Sequence, residues 1–97
     1  MGEVARPNRT EIIRRLVKAG AAIDSATMYA DAFLEYREAS DNINEYGVIV
    51  QHPRTGNPVP NPYLEVRNGA LRKLRILKHV KADFLWAESP KRPKKKP

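Results

Sequence analysis

The stretch from Glu45 to Leu64 constrains the fold more than any other part of the chain, because it separates two helical patterns with residues that can continue neither. Val48, Ile49 and Val50 form a β-branched run, Pro-Arg-Thr-Gly follows with turn chemistry, and three prolines between Pro58 and Pro62 forbid helix until Asn61-Pro62 restarts one. A small β-hairpin or extended arm over residues 47–60, joining two helices, is the expectation.

Upstream of the arm, Asn8 followed by Glu11 has the spacing of a capping box, and Ile12, Ile13, Leu16 and Val17 then recur at helical intervals up to Gly20. This predicts a short first helix of about ten residues. Asp24-Ser25 offers a second N-cap, and from there an unbroken pattern runs to Tyr46. Tyr29, Ala32, Phe33, Tyr36, Ala39, Ser40 and Ile43 share one side of that long helix, while Asp31, Glu35, Glu38, Asn42 and Glu45 share the other. Gly47 is a natural stop.

Downstream, Asn61 is the expected cap and Pro62 the first position of a helix reaching about Val80. Tyr63, Leu64, Val66, Ala70, Leu71, Leu74 and Leu77 make its apolar face; Asn61, Glu65, Asn68, Arg72, Arg75 and His79 make a polar stripe opposite. Ala82 to Glu88 fits either an extension of this helix or a segment packing Phe84, Leu85 and Trp86 on the core. The predicted fold is thus mainly α: a flexible lead over 1–9, a helical domain with its hairpin arm over 10–88, and a disordered polybasic tail over 89–97.

Charge divides the chain into three. Residues 1–23 carry five bases and two acids, residues 24–45 one base and six acids, and residues 46–97 twelve bases and three acids, for a net charge of +7. An excess this polarised points to a polyanionic partner. Arg14, Arg15 and Lys18 on the first helix, Arg67, Arg72, Lys73, Arg75 and Lys78 on the last, and Lys91, Arg92, Lys94, Lys95 and Lys96 in the tail are the candidate phosphate contacts on double-stranded DNA. Tail lysines add affinity and salt dependence rather than base specificity.

Other chemistries find little support. The chain has no cysteine, so disulfides and thiolate sites are excluded. No apolar run approaches the roughly 20 residues of a membrane span, and the reading is a cytoplasmic protein with no membrane association. His52 and His79, the two histidines, lack metal-ligand spacing. No nucleophile elbow or phosphate-binding glycine loop occurs, and the expectation is a protein that is not an enzyme and holds no cofactor or metal. Asp31, Glu35 and Glu38 would suit a divalent cation only if a further helix supplied oxygens, and otherwise form a solvated face. Tyr29, Phe33, Tyr36 and Ile43 are read as helix–helix or subunit packing in preference to stacking platforms for single strands.

The order of these features carries a resemblance. A short helix, then Tyr29-Ala30-Asp31-Ala32-Phe33-Leu34-Glu35-Tyr36-Arg37-Glu38-Ala39, Tyr46-Gly47-Val48-Ile49-Val50, Arg54-Thr55-Gly56-Asn57-Pro58 and Asn61-Pro62-Tyr63-Leu64, is similar to the phage terminase small subunit family. The likeness covers about Ile12 to Leu77. It implies a non-catalytic component that assembles into a homo-oligomeric ring, recognises the packaging start site on viral DNA, and presents that DNA to a large subunit holding the ATPase and nuclease, in the cytoplasm of an infected bacterial host. The chain departs from the family at its end, where Val80-Lys81-Ala82-Asp83-Phe84-Leu85-Trp86 and a polybasic tail stand in place of the usual Gly-Leu-Thr-Pro…Arg segment. Two rival readings remain: a small regulator whose first two helices form a helix-turn-helix, and a metal-dependent nuclease using the acidic face.

Overall fold

A computed structural model describes residues 6–88, with the side chains of residues 87 and 88 left aside; the tail bases Lys91, Arg92, Lys94, Lys95 and Lys96 lie outside the described residues. Four helices and one hairpin follow in order: α1 (Arg9–Lys18), α2 (Ile23–Tyr46), β1 (Ile49–Gln51), β2 (Pro58–Pro60), α3 (Tyr63–Ile76) and α4 (Asp83–Glu88). The fold is mainly α, and the arm is a two-stranded antiparallel hairpin.

The first helix forms as its sequence requires. The Asn8 side chain accepts a hydrogen bond from the Glu11 N–H at 2.9 Å, Glu11 stands in the first turn, and Arg15 and Lys18 stand in the last, complementing the helix dipole. Ile12 and Leu16, one turn apart, are fully buried against α2. The start of α2 differs from expectation. It begins at Ile23, with Ala22 in an extended conformation and no side-chain cap, while Asp24 lies inside the first turn. Thr27 Oγ1 donates back to the Ile23 carbonyl at 2.8 Å.

The buried face of α2 is the one the periodicity picks out: Tyr29, Ala32, Phe33, Ala39 and Ile43, joined by Ala26 and Ala30. These alanines let helices approach closely. Gly47 ends the helix with φ 93° and ψ 172°, a conformation open essentially only to glycine.

α3 folds back antiparallel to α2 and ends at Ile76, four residues short of the expected Val80. At 100° per residue, Val80 and Ala82 would fall about 200° apart on a straight helix and could not face α2 together. The chain turns at Leu77–Val80 instead, and Leu77, Val80, Ala82 and Leu85 are all buried as α4 packs across the end of the body. Trp86 of α4 donates from Nε1 to the Tyr29 hydroxyl at 2.9 Å, meets Phe33 edge-on at 4.9 Å, and lies 5.4 Å from Tyr36. Val66, expected on the apolar face of α3, is exposed.

Candidate nucleic-acid interface

One buried polar residue fixes how the basic helix α3 is presented. Asn61 is 3% exposed, at the corner where α2, the hairpin and α3 meet. Its Nδ2 donates to Asn42 Oδ1 at 2.9 Å and to the Gly47 carbonyl at 2.8 Å, and its Oδ1 accepts from the Tyr63 N–H at 2.9 Å. The capping role foreseen for Asn61 is therefore real, with Pro62 already at helical dihedrals (φ −58°, ψ −24°). Its place on a solvent-facing polar stripe is not: a residue that bonds two groups at the end of α2 and one at the start of α3 leaves the surface. The remainder of that stripe, Glu65, Asn68, Arg72, Arg75 and His79, does face solvent.

The acidic face of α2 is answered from both sides. Arg9 of α1 pairs with Asp31 at 2.6 Å, Arg6 with Asp41 at 2.6 Å, and Lys73 of α3 with Glu35 at 3.3 Å. The hydrogen bond it donates to the Asp41 carboxylate holds Arg6 above the usual guanidinium value, as the bond to Asp31 does Arg9. Arg37, which reaches the Pro7 carbonyl at 3.4 Å, is shifted down by burial first and by nearby Arg6 second. Among the described residues no three His, Asp or Glu side chains gather where a metal ion would sit. Sequence reasoning missed the role of Arg6 and Arg9, which lie far in sequence from the acids they meet.

With those pairs formed, the bases left facing solvent without an acidic partner among the described residues are Arg14 and Lys18 on the outer side of α1, and Arg72, Arg75, Lys78 and Lys81 on and after α3. Arg54, in the hairpin turn, joins them; its exposure follows from the Pro-Arg-Thr-Gly turn, and only its isolation from other bases hid it. Three expected contacts are placed differently. Arg15 is half-buried with its guanidinium 4.3 Å from the centre of the Phe84 ring, linking α1 to α4; Arg67 is half-buried on the side of α3 that carries Ala70 and Leu74; Lys73 is held by Glu35. Tyr29, Phe33 and Ile43 are buried in the chain's own core, with Tyr36 packed against it.

His52 closes the hairpin turn: its Nδ1 accepts from the N–H groups of Arg54 at 3.0 Å and Thr55 at 3.4 Å. Among the described residues no helix is long and apolar enough to cross a membrane.

The matching family model, described as phage terminase, small subunit, spans residues 8–80. The chain belongs to the phage terminase small subunit family. The matched span begins at the Asn8 cap and ends at the turn after α3, so it takes in the hairpin and the Asn61 corner. α4, which covers the core with Leu85 and Trp86, lies outside the matched residues. No curated protein and no solved structure matches the chain. Membership carries a role in phage DNA packaging, in association with DNA and a large subunit.

Proposed function

We propose that this small subunit binds double-stranded DNA at the packaging start site and presents it to a catalytic large subunit, without catalysis of its own. The observation that carries the reading is the sorting of charge on the folded chain. Three acids of α2, Asp31, Glu35 and Asp41, engage Arg9, Lys73 and Arg6, while Arg14, Lys18, Arg72, Arg75 and Lys78 stay exposed with no acidic partner among the described residues. Free cations on helix surfaces suit phosphate contact, whereas paired ones first have to be released.

A homo-oligomeric ring accords with two apolar patches built from different pairs of elements. One lies between α2 and α3, where Met28 and Ile76 are exposed beside Asp31 and Glu35; the other joins Ile13, Val17 and Ile23 beside Arg14. Two unlike patches fit head-to-tail contact, which closes into rings. A ring sums the few phosphate contacts of each subunit along one duplex.

The regulator reading has a frame, since a short turn with Gly20 joins α1 to α2. Its second helix, however, would enter the groove with exposed Asp24, Glu38 and Glu45, acids with no basic partner among the described residues, which phosphates repel.

Binding to duplex DNA, followed by fluorescence anisotropy across a salt series, tests the proposal. Replacing Arg72 and Arg75 together by alanine is expected to lower the log–log salt slope by about 2, since each phosphate contact contributes about 0.9. A salt-independent affinity, or a slope unchanged in that variant and in Arg14→Ala/Lys18→Ala, overturns the placement.

A further inference from the structure

The hydrogen bonds of the hairpin determine which of its main-chain groups face outward. Ile49 lies opposite Pro60, Val50 opposite Val59, and Gln51 opposite Pro58. Just beyond the strands, and in the same register, the Asn61 N–H donates to the Val48 carbonyl and the His52 N–H to the Asn57 carbonyl, both at 2.8 Å. Bonded and non-bonded pairs alternate in an antiparallel ladder. Val50 and Val59 are therefore the bonded pair between, while Ile49, Gln51, Pro58 and Pro60 direct their main-chain polar groups away from the partner strand.

The two edges of this sheet are consequently unlike. On β2 both outward residues are prolines, which have no N–H, so that edge offers no donor to a further strand and the hairpin loses no bond by containing them. On β1 both outward residues, Ile49 and Gln51, keep N–H and C=O, and Ile49 is 56% exposed. One edge is guarded and the other is open.

We propose that the open edge of β1 pairs antiparallel with β1 of a second copy, across a two-fold axis at Val50. That register sets Ile49 against Gln51 of the second copy and Gln51 against its Ile49, so all outward donors and acceptors of both strands are used. Moving the axis to Gln51 would set Ile49 opposite Pro53, which has no N–H; moving it to Ile49 would set Gln51 opposite Gly47, whose carbonyl already accepts from Asn61. Charge favours a copy of the same strand. Tyr46 to Gln51 contains no charged residue in a chain that is 30% charged, so self-pairing sets no like charges against each other. The exposed side chains of Tyr46, Val48 and Ile49 flank the edge and gain cover from the partner. Because β2 cannot accept a strand as well, pairing adds one partner per hairpin and stops, which gives a closed two-fold contact and not a filament. The contact is separate from the exposed bases and from the apolar patches beside Met28 and Ile13, and pairs single copies or whole rings face to face.

The test uses the full chain. Ile49→Pro removes one outward N–H while leaving every bond of the hairpin, as Pro58 and Pro60 do on the other strand; light scattering is expected to show the mass fall to half that of the unaltered protein, with unchanged DNA affinity per subunit. Val50→Cys gives a second measurement that does not depend on tolerance of a proline. Cross-strand non-bonded pairs bring Cα atoms to about 4.5 Å, within disulfide range. Mild oxidation of that variant is expected to yield a covalent dimer, and Arg54→Cys in the turn is expected not to. A monomeric unaltered protein, a mass insensitive to Ile49→Pro, or no cross-linking of Val50→Cys above Arg54→Cys overturns the proposal.

Discussion

The two connections that position α2 are built on opposite principles. Between α1 and α2 the chain turns within residues 19–22, through Gly20 at φ 111°, and α2 starts on Ala22 without any side-chain cap. Between α2 and α3 it inserts a whole hairpin, yet the two ends of that insertion are tied by a single buried amide, Asn61. The first connection is short and held by main chain and by burial of Ile12 and Leu16, with one exposed ion pair, Arg9–Asp31, between the helices it joins. The second is long and depends on specific polar bonds. A buried polar tie fixes geometry because each of its groups costs free energy if left unpaired, so few arrangements of α2 and α3 satisfy all of them.

That contrast is broken most severely at Asn61. Asn61→Ala removes the Tyr63 cap and leaves the Gly47 carbonyl and the Asn42 side chain without their donor, at an expected cost of about 2–3 kcal/mol in urea denaturation. Asn61→Asp sharpens the point: the carboxylate still accepts from the Tyr63 N–H but donates to neither Gly47 nor Asn42, and the loss is expected to remain about 2 kcal/mol. Recovery to full stability in Asn61→Asp would place the importance of the residue in capping alone. Next in size is Gly47→Ala. An added Cβ meets only the Ile49 carbonyl, at 3.7 Å, so space is not the obstacle. The strain of φ 93° with ψ 172° is, and the expected loss is about 2 kcal/mol or somewhat less, read from the same denaturation curves.

Most of the fold is legible in the sequence, because periodicity and punctuation agree. The Asn8 cap, the apolar stripe from Tyr29 to Ile43, the Gly47 stop and the Pro-rich restart each follow from local chemistry that tertiary contacts then reinforce. What is not legible depends on partners distant in sequence. Asn61 reads as a surface cap until Asn42 and Gly47 are seen to converge on it, and nothing in the spacing shows that convergence. Lys73 reads as a phosphate contact until the approach of α3 sets it against Glu35, and nothing near Arg9 in sequence announces its pair with Asp31. The basic helices are legible in the sequence, while the exposure of each base is not: Arg15 and Arg67 are half-buried, and Lys73 is paired with Glu35. α3 is shorter than its periodicity predicts because a pattern along one helix carries no information about where α2, its antiparallel packing partner, begins.

The short connection is expected to respond in the other direction, with the smallest effect of the series. Ala22 has φ −66° and ψ 150°, the extended geometry of an N-cap, but supplies no acceptor to the first turn of α2. Ala22→Asp places a carboxylate where it can accept from the N–H of Asp24 or Ser25 and faces the positive end of a 24-residue helix. Asp24 already occupies that turn, and its negative charge offsets part of the gain. The expected result is a stabilisation of about 0.5–1 kcal/mol, smaller at high salt, with no change in DNA affinity beyond that of one added negative charge. Ala22→Ser separates the two contributions, since it keeps the acceptor and adds no charge. If Ala22→Ser stabilises as much as Ala22→Asp, the missing hydrogen bond is the whole deficit of this connection. If neither variant stabilises, the start of α2 is already fixed by the packing of Ala26 and Ala30 in the core, and the two connections differ less in strength than in the means by which each is held.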